Sequence, residues 1–409
     1  VNFRTHPNYQ RLADLARSSH AASRSVQGIS DDDVLLARLY SYAWRGHVIG
    51  AFHATQLAID ALASALPADA VLRAKAPLAD LAAVSLDPIA DDFRALISTF
   101  HRYDTLLRRA LDELDALARQ DKEMQIVRDR FLGHVERITQ SGGIACTRDD
   151  EVPAQSSFIV PNLGITIIPL VYGDHHSWNM AFLAGESASV PRHQHQRGVE
   201  IHLGFGKLQG DTLLAHQRCE VSEGYAMAIP PRTPHGFANT SGHDHYLPFV
   251  FGSRSMGGWG VFLDVEPQPI ALEELERVPR SDDCLNGLVY LDREIDLAAR
   301  STETVRWTLV DPHTTFRPDS GALVLAIAGV TGAGLTLPAD SFRAVSVVRG
   351  SGVVQVGSCQ QAVSAHDHFG VPAGVAAKLW PTGHEPLVIL DAVLQTEPLS
   401  VPLADLPVD

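Results

Sequence analysis

Residues 192–200 read Arg192-His193-Gln194-His195-Gln196-Arg197-Gly198-Val199-Glu200, and their spacing carries the most chemistry in the chain. His193 and His195 stand two apart, so on a strand both imidazoles project from one face. Glu200 follows after four residues, the length of a short turn, and can return on the adjacent strand. A second stretch runs Gly224-Tyr225-Ala226-Met227-Ala228-Ile229-Pro230-Pro231-Arg232-Thr233-Pro234-His235-Gly236-Phe237-Ala238-Asn239. It reads as a turn, a short apolar strand and a Pro-rich turn that delivers a third histidine onto another strand. Three imidazoles and a carboxylate form a mixed N/O donor set. It suits one divalent transition metal (Fe(II), Mn, Ni, Co, Cu or Zn) better than Ca, which takes all-oxygen shells.

The surrounding sequence consists of short strands punctuated by Gly, Pro and Asn, such as 164–168, 178–182 and 246–251. Strands this short and frequent imply an antiparallel sandwich or barrel. A Pro- and Glu-rich linker runs from Glu266 to Pro279, and the same texture returns in 344–348, 352–357 and 387–390. That weak repeat implies two β-modules. Before about residue 140 the texture is helical. Ser30-Asp31-Asp32-Asp33 is an N-cap cluster with acids where the helix dipole favours them. It opens a helix that runs to about Leu66 and stops at Pro67, with Gly46 and Gly50 as points of interruption. A second helix starts after Asp87-Pro88. It carries the i, i+3, i+4 stripe Phe93, Leu96, Ile97, Phe100, Leu107, Leu111, Leu114 and Leu117. A third spans Asp121 to Ile138 and closes at Ser141-Gly142-Gly143. The expected organisation is a helical domain over 1–140, a metal-binding barrel over 141–268 and a second barrel over 269–409.

The 409 residues carry 33 Lys+Arg against 48 Asp+Glu, a formal charge of −15, with no basic run. This argues against nucleic acid or an anionic membrane as the main partner. No apolar run reaches the ~18–20 residues of a membrane span. The opening VNFRTHPNYQ lacks the basic-then-apolar order of a signal peptide. Cys146, Cys219, Cys284 and Cys359 are widely spaced, without C-x-x-C. They read as reduced thiols, and the expected location is the cytoplasm.

The two motifs resemble the signatures of the cupin superfamily. The first family motif is Gly, five residues, His-x-His, three or four residues, Glu, six residues, Gly. This chain supplies His193, His195 and Glu200, with Ser187 at the first Gly position and Gly206 one residue early. The second is Gly, five residues, Pro-x-Gly, two residues, His, three residues, Asn. Gly224, Pro230, His235 and Asn239 match, and Arg232 replaces the middle Gly. The resemblance implies that His193, His195, Glu200 and His235 are the ligands. The last block looks like an emptied cupin: residues 366–377 follow the second motif in outline, with Ala377 where its histidine belongs. His366 and His368 are spaced like a ligand pair but are expected on the turn before the final strand, as structural filling or support for a ligand. The fold this implies is α+β and mainly β, two cupin (jelly-roll) barrels preceded by an all-α domain.

Alternation nominates the pocket lining. Glu200 shares a face with His202, and His235 shares one with Phe237 and Asn239. His202 is expected either to move protons and orient substrate or to be a hydrogen-bonded core histidine. Phe237 is expected beside the metal. Arg192 and Gln194 take the opposite face, and either Trp178 and Met180 or Asn179 line the preceding strand. His175, His176, His243 and His245 read as loop histidines; His47, His53 and His101 read as helix packing. The helical domain is expected to be a lid or a dimer interface. For function, the resemblance implies three readings. The first is a non-haem Fe(II) dioxygenase or oxygenase using a small organic substrate and dioxygen. The second is a redox-neutral isomerase or lyase on a sugar or hydroxy acid. The third is a non-catalytic ligand-binding barrel. A homodimer is the expected assembly.

Overall fold

The computed structural model describes residues 5, 7–21, 30–84, 93–140, 144, 146–149, 158–160, 165–173, 175–183, 189–205, 208–255, 261, 264–278, 288–310 and 322–395. Ser187, Gly206, Cys284, the Asp87-Pro88 helix start and the Ser141-Gly142-Gly143 stop lie outside them, as do the side chains of His47 and His53.

The N-terminal region holds α1 (Pro7–Ala21), α2 (Asp31–Leu62), α3 (Ala68–Ala83), α4 (Phe93–Ala118) and α5 (Lys122–Gln140). Ser30 opens α2 through a capping box: its hydroxyl accepts from Asp33 N, and Asp33 Oδ2 accepts from Ser30 N at 3.0 Å. The helix passes Gly46 and Gly50 without a break and ends at Leu62, where a 3-10 turn over Ala63–Ala65 leads to Pro67 at the N-cap of α3. Both α1 and α3 add to the three helices expected. The apolar faces enclose Leu12, Phe52, Leu78, Leu107, Leu114 and Phe131. Among the described residues no helix is long and apolar enough to cross a membrane.

Strand β1 (Cys146–Arg148) follows, then β2 (Phe158–Val160), β3 (Ile165–Tyr172), β4 (His176–Leu183), β5 (Ser189–His195) and β6 (Val199–Gly204). Next come β7 (Gly210–Leu214), β8 (Gln217–Val221), β9 (Tyr225–Ile229), β10 (His235–Asn239), β11 (His245–Gly252), β12 (Val265–Pro267) and β13 (Glu276–Val278). Strands β2 to β13 form one jelly roll, in which the sheet β12-β5-β10-β7-β8-β13 faces β2-β3-β4-β11-β6-β9. The stretch from Glu266 to Val278 is therefore not a free connector. Its first part pairs antiparallel with β5 and its later part parallel with β8, satisfying edges that the barrel would otherwise leave open.

The second jelly roll follows α6 (Leu291–Ala299). It comprises β14 (Val305–Thr308), β15 (Ala322–Val330), β16 (Leu335–Leu337), β17 (Arg343–Arg349), β18 (Ser351–Val356), β19 (Cys359–Ser364), β20 (Asp367–Val371), β21 (Ala377–Pro381) and β22 (Leu387–Gln395). Its sheets run β1-β20-β17-β22-β15-β14 and β16-β21-β18-β19. Residues 146–148 thus add an edge strand to this second barrel, although they precede the first in sequence. His366 sits in the β19–β20 turn at φ 78 and His368 on β20, two strands before the end rather than one.

The barrels pack sheet against sheet: Ile168, Leu170 and Trp178 of the first share a core with Leu325, Leu390 and Leu394 of the second. His176 joins this junction and is not a loop histidine. It is buried, its ring lies 5.1 Å from Phe342, and its Nε2 donates to the Ala392 carbonyl at 3.0 Å. Burial lowers its pKa to about 3, which keeps the ring neutral. The helical domain docks across both barrels, with α2 running along β3 and β2 of the first and β20 of the second. Leu35 and Leu39 of α2 join the apolar cluster that fills the second barrel, and Ser358 Oγ donates to Asp32 at 2.9 Å.

Candidate metal centre

Strand β5 carries His193 and His195 inward, and β6 returns Glu200 after the turn at 196–198. His235 opens β10 directly opposite His193. The four side chains are buried, and one donor atom from each lies within 4.8 Å of the others. Every histidine is anchored through Nδ1 to a main-chain carbonyl: His193 to Pro191 at 2.8 Å, His195 to Asp264 at 2.9 Å, and His235 to Thr233 at 2.9 Å. A carbonyl only accepts, so each Nδ1 carries the proton and each Nε2 presents a lone pair.

Those lone pairs meet a carboxylate. Glu200 Oε2 stands 2.9 Å from His195 Nε2 and 3.2 Å from His235 Nε2. His195 Nε2 is buried and makes no properly aimed hydrogen bond. Acceptor against acceptor in a buried site is unfavourable unless a proton or another cation lies between them. Burial opposes the proton: it holds His193 well below, and His235 below, the usual imidazole range. Burial also works against ionising Glu200, but the adjoining imidazoles, His202 and His235 foremost, outweigh it, and the carboxyl is held well below its usual range. Three Nε2 lone pairs fixed by their Nδ1 anchors beside a carboxylate are the donor set a divalent metal ion requires, so the residues fit one.

His202 stands behind the carboxylate. Its Nε2 lies 2.8 Å from Glu200 Oε1 and must donate to it, while Nδ1 is buried with no partner among the described residues. Arg192 and Gln194 take the opposite face, Arg192 bonding to the carbonyls of Ala215 and Gln268 and Gln194 to Glu266. On β4 the face of Asn179 is the inward one. It bonds Tyr172 Oη and Ser177 Oγ, and Ala181 beyond it lines the site, whereas Trp178 and Met180 face the other barrel. Phe237 also points into the barrel but one rung, about 7 Å, beyond His235. It is fully buried against Gly210 within the apolar core of the first barrel. Asn239 pins its own loop through Ser241 and the His243 carbonyl. His243 is exposed as expected and His245 half-buried.

Two supports escaped the sequence reading. Asp264 Oδ2 accepts from Arg197 N at 2.7 Å and Gly198 N at 3.2 Å, fixing the turn between the ligand strands, while its own carbonyl holds His195. Arg232 adopts φ 61, the left-handed region that the family's glycine supplies without strain, and its N–H bonds the His195 carbonyl at 2.7 Å. The cavity beside the cluster is lined by Ile165, Ile167, Val190, Leu247, Phe249 and Val261 as well as by His193, His195, Glu200 and His202. Its volume is about 20 Å³.

No protein-family model matches the chain, and no curated protein matches it. Among solved structures, salicylate 1,2-dioxygenase from Pseudaminobacter salicylatoxidans is similar over 54% of this chain and 70% of its own, at 15% identity and a TM-score of 0.43. Its adduct with gentisate covers 54% and 68%, at 13% identity and a TM-score of 0.42. A cupin 2 conserved barrel domain protein from Leptotrichia buccalis covers 56% and 89%, at 12% identity and a TM-score of 0.38. These likenesses concern fold alone. Strand order gives this chain two packed jelly-roll barrels, the first of which turns both motifs inward.

Proposed function

We propose that the chain is a mononuclear metal enzyme, a non-haem iron(II) oxygenase that acts on a small, largely apolar organic molecule with dioxygen. The carrying observation is the convergence of three Nε2 lone pairs and an ionised carboxylate in a site walled by aliphatic side chains. His193, His195, Glu200 and His235 would hold the ion, and iron(II) bound there would supply Lewis acidity and redox reactivity.

The remaining roles belong to the chain. The Nδ1 anchors and Asp264 keep the imidazoles in the binding tautomer and orientation. His202 fixes Glu200 through Nε2, which leaves Nδ1 as an acceptor for a substrate hydroxyl or its proton. The aliphatic wall excludes water. It also favours a hydroxy or keto compound of low polarity over a sugar, whose several hydroxyls would lose their partners against it. A cavity of about 20 Å³ holds one molecule the size of water or dioxygen, so an organic substrate has to displace side chains at the mouth.

The test starts with elemental mass spectrometry on protein purified anaerobically, without added metal or chelator. One equivalent of iron, with substrate-dependent oxygen uptake across a panel of hydroxy and keto compounds, is the expected result. One equivalent of manganese, nickel or zinc with turnover but no oxygen uptake moves the assignment to a redox-neutral isomerase or lyase. No metal after reconstitution with each ion ends both.

A further inference from the structure

A cavity of about 570 Å³ lies outside the first barrel, where its sheet faces the second. Met180, Phe205, Tyr246 and Pro248 wall it on one side, and Ser346 and Val348 on the other. It is separate from the metal centre. On β11, Tyr246 and Pro248 face this cavity while Leu247 and Phe249 line the metal site; on β4, Met180 faces it and Ala181 the metal site. One sheet divides the two spaces.

The volume falls within the ~300–1,000 Å³ range of small-molecule sites. Apolar and aromatic walls supply the burial, and the rim supplies direction. Asp149 accepts two imidazole protons, from His366 Nδ1 at 2.7 Å and from His368 Nε2 at 2.9 Å. With Nδ1 committed, His366 has its Nε2 left as an acceptor on a ring that is 57% exposed at the mouth. The bond to Asp149 also holds His366 in its left-handed backbone, a conformation that persists where the surroundings fix it. Across the rim, His245 Nε2 is buried with no partner among the described residues, next to Asp244. His366 Nε2 and the carboxylates of Asp149 and Asp244 give the polar edge its acceptor character. Such an edge attracts hydroxyl or ammonium donors and repels carboxylate or phosphate.

We propose that this inter-barrel cavity is a second small-molecule site, for a flat apolar compound bearing a hydroxyl or amino group. It stands independently of the reaction assigned to the metal centre. Tyramine, which carries both donors on one ring, is the probe, with benzoate as the anionic comparison. Binding to the metal-loaded full chain is titrated by saturation-transfer NMR. Val348→Trp fills the cavity and is expected to weaken tyramine at least about tenfold; His366→Ala removes one acceptor and is expected to weaken it about three- to tenfold. Metal stoichiometry stays at the wild-type value in both, and benzoate binds at least about tenfold more weakly than tyramine. The exposed His366 position keeps the test decisive if the tryptophan variant fails to fold. Absence of tyramine binding to the wild type, affinity indifferent to the variants, or benzoate binding as well as tyramine overturns the proposal.

Discussion

In the second barrel Ala377 pairs with Leu337 as His235 pairs with His193 in the first. Arg343 pairs with Val371, the last residue of β20, as Glu200 pairs with Ile229, the last of β9. Gly374 N bonds the Ala339 carbonyl as Arg232 N bonds that of His195. The four ligands of one barrel therefore correspond by register to Leu337, Ala339, Arg343 and Ala377 in the other, and His202 corresponds to Val345. Each barrel still buries a carboxylate. In the second it is Asp391, held by Arg343 Nη1 at 2.7 Å and Arg306 Nη2 at 2.8 Å. In the first it is Glu200, which accepts from His202 and faces the Nε2 lone pairs of His195 and His235. One barrel answers its buried charge with a guanidinium inside the chain, and the other leaves the answer to an ion from solution.

The largest expected effect is on metal content. His235→Ala removes most bound metal, while Ala377→His in the second barrel recruits none, because Leu337 and Arg343 still occupy the partner positions. Elemental analysis of both variants checks this, and a second equivalent in Ala377→His breaks the comparison. The next largest is on stability. Arg343→Met leaves Asp391 buried with Arg306 alone and is expected to cost about 3–5 kcal/mol, read from a denaturant midpoint. In metal-free protein Glu200→Gln costs little, since the new amide can donate to an imidazole lone pair. A loss as large as that of Arg343→Met would erase the distinction between the barrels.

The ligand set was legible because the chemistry is local: His-x-His on one strand and His235 after a Pro-rich turn need little tertiary information. The loss of the second site was equally legible at Ala377. Arg343 was not, since only strand register places it opposite Glu200's counterpart. Asp264 was missed because a Pro- and Glu-rich stretch carries the composition of a linker, whereas its backbone pairs with β5 at Val265 and Pro267, opposite His195 and His193. β1 is assigned to the second barrel by a long-range pairing that no periodicity reports. Helix α3 has Pro77 within it and α1 begins at Pro7, so both carry a residue that reads as a stop. His176 was read as a loop residue from its Gly173 and Asp174 neighbours, but a second barrel covers it.

Asp264 offers an intermediate test of the difference between the barrels. Removing the carboxylate in Asp264→Ala frees the Arg197 and Gly198 amides and loosens the turn that sets His195 against Glu200. The carbonyl anchoring His195 stays in place. Metal affinity is expected to fall roughly 10–100-fold, measured by competition with a chelator of known strength. An unchanged affinity would mean that pairing with β12 is enough to hold the ligand strand.

The smallest expected effect concerns the turn before the third ligand. Arg232 holds φ 61 where its counterpart Gly374 holds φ 83, and both N–H groups make the same bond to the neighbouring strand. A side chain in the left-handed region costs about 1–2 kcal/mol, and glycine returns about 0.5–1 kcal/mol of that as lost chain entropy. Arg232→Gly is therefore expected to stabilise metal-free protein by about 0.5–1 kcal/mol and to leave metal stoichiometry at one. If the variant is instead less stable, the arginine side chain makes contacts that outweigh its backbone strain. The turn of the metal barrel would then differ from that of the second barrel in more than its backbone.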